Sequence, residues 1–408
     1  MVRKHPVLRV VMNLFDGIPR MKGQAVKTEH HTIFSDSKQM SALSEESVDL
    51  VVTSPPYPMI EMWDDIFSAQ DSGIKKQIQK GNGADACEAM HRLLDQTWKE
   101  VYRVLKPGGF ACINIGDATR TMEGDFALYP NHARILSYLH TLGFSSLPCI
   151  LWRKQTNAPN KFMGSGMLPA GAYVTLEHEY ILIARKGSKR VFKTGDEKAV
   201  RRQSALFWEE RNTWFSDIWF DIKGTVQTVK DKSTRKRSGA FPFNLAYRLI
   251  NMYSVKGDMV LDPFLGTGTT AMAAMASGRN SVGYEIDPGF KDVSTGLKTD
   301  LISVSRQIIH QRLVNHVDFV RQRFETKGNL KHINLNYGFP VITAQEKELL
   351  INDPLDILTT GENRFKVNYA TIPQKDFCRD WAAFFNHDNG SQVMEKLKKK
   401  PGKQRTLF

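Results

Sequence analysis

Cysteine is scarce in this chain. Cys87, Cys112, Cys149 and Cys378 are its four cysteines in 408 residues, with no Cys-x-x-Cys pair; this argues against a disulfide framework and a zinc knuckle and leaves ordinary reduced thiols. Only Cys149 follows a proline, and Pro148-Cys149 lies inside an apolar run and not after a strand and turn, so a cysteine nucleophile is not indicated. Long apolar runs are also missing: nothing approaches the ~20 residues that a spanning helix needs. Arg9 and Asp16 break the amino-terminal apolar segment, so neither a membrane nor a secretory destination is expected, and a cytoplasmic one is. His30-His31 has no companion at ligand spacing, and no metal site is expected. Acidic residues are in deficit, 43 against 56 basic ones for a formal charge of +13, which favours a polyanionic partner, nucleic acid first.

What is present points to an α/β protein. With 41% hydrophobic residues, the chain can bury one large α/β core and carry a smaller appendage. Residues 31–35 and 47–53 read as strands, and 84–105 as a helix with Met90, Leu94, Trp98 and Val101 on one side, stopped by Lys106-Pro-Gly-Gly109. A strand at 110–115 and a helix at 130–142 follow. Cys149–Arg153 and His178–Ala184 are apolar runs around a Gly/Pro/Asn-rich stretch, 157–171. The alternation resumes with a helix at 242–254, a strand into Asp262, a helix from Thr269 to Ser277 and a strand at 280–285. Such alternation predicts a doubly wound, mostly parallel sheet. Residues 1–28 read as a lead-in, 29–295 as the main domain and 296–408 as a carboxyl-terminal extension, largely helical.

Two motifs carry chemistry. Ser54-Pro55-Pro56-Tyr57 follows the apolar run Val48–Val52; its two prolines remove two backbone donors and fix two φ angles, so the turn offers acceptors only. About two hundred residues later, Asp262-Pro-Phe-Leu-Gly-Thr-Gly-Thr-Thr270 follows a second short strand, where Gly266 and Gly268 permit close backbone approach ahead of a helix. The Gly-Lys-Ser/Thr ending of a phosphate-binding loop is absent. Glu285 ends the next strand, where an acid can accept from two ribose hydroxyls, so a nucleoside ligand without a phosphate fits better.

This pair of motifs, in this order, resembles the amino-methylating DNA methyltransferases in the permuted arrangement with the tetrapeptide ahead of the cofactor loop. The resemblance covers about 29–295 and implies a Rossmann-like fold with S-adenosyl-methionine as cofactor. It places Asp262, Phe264, Gly266 and Gly268 around the methionine part, with Thr269 opening the helix behind them, Glu285 at the ribose and Asp36 at the adenine amine; Asp36 could equally cap a turn. Phe241-Pro242 matches the segment before the loop, although the His-Pro that precedes it in many members is missing here, at Arg237-Ser238. Ser54 and the Pro55 carbonyl would accept from the exocyclic amine of a flipped base and Tyr57 would stack on it. Serine in first position resembles the cytosine-N4 enzymes; adenine N6 is the alternative, with an RNA methyltransferase or a non-catalytic nucleic-acid-binding protein beyond it. Trp152-Arg-Lys154 and Asn157 resemble the lining of the target-base pocket, and Glu61-Met-Trp63-Asp64 continues the catalytic loop, where Trp63 could equally be a packed core aromatic. The implied partners are duplex DNA and a cognate restriction endonuclease acting on the same site.

From Arg185 to Arg237 the chain turns basic and aromatic, with Phe207, Trp208, Trp214, Phe215, Trp219 and Phe220 ahead of Lys230-Asp-Lys-Ser-Thr-Arg-Lys-Arg237. Neither period is clear. The segment stands where the family keeps its target-recognition region, with Lys232, Arg235, Lys236 and Arg237 as candidate phosphate contacts. A small packed subdomain with solvated charges outside it would have the same composition.

Overall fold

The computed structural model describes residues 27–154, 168–171, 173–224, 241–291, 298–327 and 330–374. Its strands are β1 (Lys27–Phe34), β2 (Val48–Thr53), β3 (Leu105–Ile115), β4 (Ala118–Met122), β5 (Asp125–Tyr129), β6 (Phe144–Arg153), β7 (His178–Lys186), β8 (Ile218–Trp219), β9 (Met259–Asp262), β10 (Asn280–Glu285), β11 (His332–Ile333), β12 (Pro340–Val341), β13 (Pro354–Gly361) and β14 (Arg364–Tyr369). Ten of them form one sheet in the order β13-β14-β1-β10-β9-β2-β3-β7-β6-β8. The central run from β1 to β3 is parallel throughout, and β7 and β14 join its two sides antiparallel. The sheet is therefore mostly parallel, with antiparallel additions at its flanks.

All six residues of β2 are buried, as expected of a strand covered on both faces. Val51 joins a core with Met90, Leu94, Trp98 and Val101 of helix Gly83–Val104 and Ile135 and Leu139 of helix Asn131–Thr141. Leu50 and Val52 face the other core, built by Leu245, Leu249 and Ile250 of helix Phe243–Tyr253 and Ala273 and Ala274 of helix Thr269–Ala276. The layers are helix, sheet, helix. Asp49 is the one charged residue in β2, and Lys106 Nζ reaches both of its carboxylate oxygens at 2.8 Å.

Several elements depart from the sequence reading. The hairpin β4–β5 was not expected; Glu123 and Gly124 turn it, both at positive φ, as a tight two-residue turn requires. Residues 298–327 form one helix, as the start of the extension suggested, but β13 and β14 then pair antiparallel and β14 adds to β1, so this part of the extension completes the main sheet. The basic, aromatic segment folds into helices Gly195–Gln203 and Trp208–Trp214 and the short β8. Phe207, Trp214 and Trp219 are buried there, Phe207 in a third core with Ile309, Leu313, Phe339 and Leu349, while Phe215 and Phe220 are exposed. The packed-subdomain reading thus accounts for part of the aromatic content. The run from Lys230 to Arg237 lies outside the described residues, as do Asn157 and Cys378.

Candidate active site

Both motifs leave the sheet at the carboxyl ends of neighbouring parallel strands, β2 and β9. A single buried carboxylate ties them together. Asp262, 3% exposed at the end of β9, accepts from Thr53 Oγ1 at 2.6 Å, from Thr270 Oγ1 at 2.6 Å and from the Phe264 amide at 3.0 Å. Burial raises its pKa to about 6 in spite of those three donors. Thr53 immediately precedes Ser54, so this bond fixes the position of the tetrapeptide relative to the glycine loop.

The loop owes its path to Gly266 and Gly268, at φ +52° and +89°, conformations in which a side chain would be strained. Gly268 caps helix Thr269–Ala276. Glu285 supports the loop from below: its Oε2 accepts from the Gly266 amide at 2.8 Å and its Oε1 from the Asp287 amide at 2.8 Å. Burial pushes its carboxyl upward, opposed by these two amides. Each oxygen keeps a second lone pair for a ligand hydroxyl.

Between the motifs lies a cleft of about 1110 Å³ including its open mouth, lined on one side by Ser54, Pro55 and Pro56 and on the other by Phe264, Gly266 and Glu285. Asp36, Phe241, Asp262 and Thr269 line it as well. Gly268 is absent from the lining and acts behind it. Asp36 also closes a turn, accepting from the Lys38 amide at 2.9 Å, as its turn-cap reading expects. Trp63 lines the cleft while packing on the core, and Phe264 meets Trp98 edge-on at 5.8 Å. Apolar walls that also carry two acids, Asp36 and Glu285, suit an adenosine-containing ligand without phosphates.

On the tetrapeptide side, hydroxyls and amides form a chain. Ser54 Oγ donates to Tyr57 Oη at 3.0 Å, and Tyr57 Oη donates to Glu179 Oε2 at 2.9 Å. Asn114 Nδ2 donates to both Tyr57 Oη, at 2.8 Å, and Glu179 Oε2, at 2.7 Å. Lys154 Nζ holds the other carboxylate oxygen at 2.9 Å. Burial, then the neighbouring carboxylate, keeps the Tyr57 phenol well above its ordinary pKa, so it remains a donor. Because the Ser54 hydrogen is committed to Tyr57, the lone pairs of its oxygen are left to accept. The Tyr57 ring lies against Gly116, where a Cβ would come within 2.9 Å of it. Asn114 Oδ1 is buried with no donor among the described residues, one short of a satisfied network.

Sequence reasoning missed Glu179 and Asn114. The available signal was a charged and a polar residue inside strands that otherwise read as apolar. It also misplaced Trp152: that side chain is 1% exposed, packs in the core and donates its indole N–H to the Ile222 carbonyl at 2.9 Å, so it cannot touch DNA. Lys154, just past the end of β6, reaches back over the Trp152 ring at 5.4 Å, and its side chain is half exposed. Lys232, Arg235, Lys236 and Arg237 lie outside the described residues.

A family of DNA methylases acting at N6 and N4 amines matches residues 48–296. The chain belongs to this family. The methylase is 48% identical over 353 residues to the Type II methyltransferase M.MthZI of Methanothermobacter thermautotrophicus, spanning 86% of this chain and 98% of that protein. It is 50% identical over 279 residues to the Type II methyltransferase M.MjaI of Methanocaldococcus jannaschii, spanning 66% and 90%. Among solved structures, the DNA modification methylase TTHA0409 of Thermus thermophilus, in complex with S-adenosyl-L-methionine, superposes with a TM-score of 0.51 at 33% identity over 67% of this chain and 94% of that one. The methylase uses S-adenosyl-methionine, and the cleft between its two motifs suits that cofactor.

Proposed function

We propose that this DNA methylase modifies the exocyclic N4 amine of cytosine at a specific duplex site, on a base turned out of the helix, as the modification partner of a restriction endonuclease. The observation that carries the reading is the committed hydrogen of Ser54. An exocyclic amine is a poor nucleophile because its lone pair is delocalised into the ring, and it presents two N–H groups. Ser54 Oγ, with its own hydrogen on Tyr57, and the Pro55 carbonyl, next to a residue that has no N–H, form a pair of acceptors for them. Accepting both hydrogens draws the lone pair out of conjugation and aims it at the cofactor side of the cleft.

S-adenosyl-methionine supplies an already electrophilic methyl group when bound. Glu285 would accept from its ribose hydroxyls and Asp36 from the adenine amine, while Phe264, Phe241 and the Gly266 backbone enclose the rest; Asp262, with its donors already inside the protein, would hold the floor of the site. Serine in first position supports cytosine over adenine, and the Type II relatives support a restriction–modification role. Lys154, half exposed beside Glu179, and the run Lys232, Arg235, Lys236 and Arg237 would take DNA phosphates. Mapping methylated bases in DNA from cells that express the chain tests the proposal: N4-methylcytosine at one short sequence is expected, and N6-methyladenine at every modified site would overturn the base assignment. Neutralising the four basic residues of the 232–237 run together should weaken DNA binding at all sequences and flatten its salt dependence.

A further inference from the structure

A second cleft opens at the opposite end of the sheet, where Lys256 leads into β9 and Arg279 into β10. It is open to solvent and spans about 360 Å³ including its mouth, with Gln203, Asn251, Ser277 and Arg312 among its polar lining. The cleft is distinguished by its charge. Arg279 is 2% exposed and is bonded to no carboxylate among the described residues: it donates to Ser254 Oγ at 3.1 Å, to the Ser254 carbonyl at 2.8 Å, to Asn251 Oδ1 at 3.5 Å and to the Ser277 carbonyl. Ser254 and Ser277 cap the carboxyl ends of helices Phe243–Tyr253 and Thr269–Ala276, so two helix ends, with partial negative charge, carry the guanidinium. Lys256 Nζ donates to the side-chain amide of Asn352 and has no acidic partner among the described residues. Arg312, 8% exposed, is held by Glu210 through Nε and Nη2 and by Tyr247 Oη at 2.9 Å.

Among the described residues, Glu210 on Arg312 is the one carboxylate bonded to any of the three cations. Asp258, which also acts on Arg279, is bound to Arg190 at 2.7 Å. Burial, reinforced by Arg279 and Arg312, pulls the Lys256 ammonium down to about 7, and burial pulls Arg279 down to about 10. A protein rarely holds unbalanced charge in such a place without a counter-ion. Donors remain: of five guanidinium N–H groups, Arg279 uses four and Arg312 three, and the Lys256 ammonium has more than its one bond to Asn352 occupies.

We propose that this cleft is a binding site for a small oxyanion of the phosphate class, held between Lys256, Arg279 and Arg312 at the end of the sheet away from the methyl-transfer cleft. The anion would tie the 349–352 segment of the extension to helices Phe243–Tyr253 and Thr269–Ala276, and so act on the stability of the fold.

The test uses the full chain at constant ionic strength set with sodium chloride, titrated separately with inorganic phosphate, sulfate and ribose 5-phosphate, read by thermal unfolding and calorimetry. A saturable rise in Tm with one site per chain is expected, and the tightest of the three anions identifies the source. Lys256→Met should weaken phosphate about tenfold, the loss of one charged hydrogen bond, with S-adenosyl-methionine affinity unchanged. Asn352→Asp keeps the lysine but gives it an internal carboxylate, and should weaken phosphate as well. Chloride reproducing the whole Tm rise would overturn the site, as would both variants binding phosphate like the parent. Reduced duplex affinity in Lys256→Met without any phosphate binding would likewise overturn it.

Discussion

Replacing Glu179 by glutamine tests the hydrogen-bond chain behind the tetrapeptide at its least exposed charge. The carboxylate, 14% exposed, accepts from Tyr57 at 2.9 Å, Asn114 at 2.7 Å and Lys154 at 2.9 Å. Glutamine has nearly the same shape but one acceptor oxygen, so its NH₂ must face at least one of these donors. Lys154 is half exposed and can turn to water, so little of the cost arises there. The loss falls on the Tyr57 and Asn114 side, where a bond to a charged acceptor is worth ~1.5–3 kcal/mol. With Tyr57 free to turn, the Ser54 hydroxyl loses its fixed orientation and its lone pairs no longer point reliably at the amine. If about 1.4–2.8 kcal/mol of this appears in the transition state, single-turnover methylation of duplex DNA slows about ten- to a hundredfold. Glu179 does not line the cofactor cleft, so S-adenosyl-methionine affinity by calorimetry should stay as in the parent. A variant with lowered Tm but unchanged single-turnover rate would refute the positioning role and leave Glu179 as a packing residue.

Ser54→Ala should lower turnover about a hundredfold, in line with ~2.7–4 kcal/mol for a positioned polar contact, while cofactor binding changes little; undiminished turnover would remove Ser54 from the chemistry. Glu285→Ala should weaken S-adenosyl-methionine by ~1–3 kcal/mol in calorimetry, through lost ribose contacts and a loosened Gly266 amide; equal affinity would move the cofactor elsewhere. His30, bonded to Thr28 and Ser281, has its pKa held down to about 3 by burial, against an ordinary 6.5. The unfolded chain takes up that proton below 6.5 and the native one does not, so this contribution is complete above pH 6.5 and falls by ~1.4 kcal/mol per pH unit as pH drops toward 3. His30→Gln should flatten the acid limb by one proton when urea unfolding is compared at pH 7, 6 and 5, and identical slopes in both proteins would contradict it.

The sequence revealed what is set locally. β2 and β9 are short apolar runs ending in motifs whose prolines and glycines constrain the backbone directly, and both motifs stand where they were expected. Tertiary pairing was less visible. β14 joins β1 across more than three hundred residues, and nothing in Arg364–Tyr369 alone announces its partner. Helices of seven and nine residues, such as Trp208–Trp214 and Gly195–Gln203, are too short to establish a period, so a folded region read as irregular. Trp152 was misread because an aromatic in a strand has the same letter on either face, and only the register of β6 with β7 and β8 turns it inward. Glu179 was overlooked for the converse reason, as an acid at the start of an apolar strand.

The bond from Thr53 to Asp262 spans 209 positions of chain and 2.6 Å of space. Its geometry depends on two strands lying side by side, and the order in which the polypeptide visits them is immaterial to it. Everything between them, including the hairpin β4–β5 and the basic segment after β7, is a detour that starts and finishes at one seam. Evolution, or an engineer, could therefore lengthen that detour, exchange it or move the chain ends into it, provided that the threonine and the carboxylate still meet. Altering the intervening chain and preserving where the enzyme reacts are, for this architecture, separable problems.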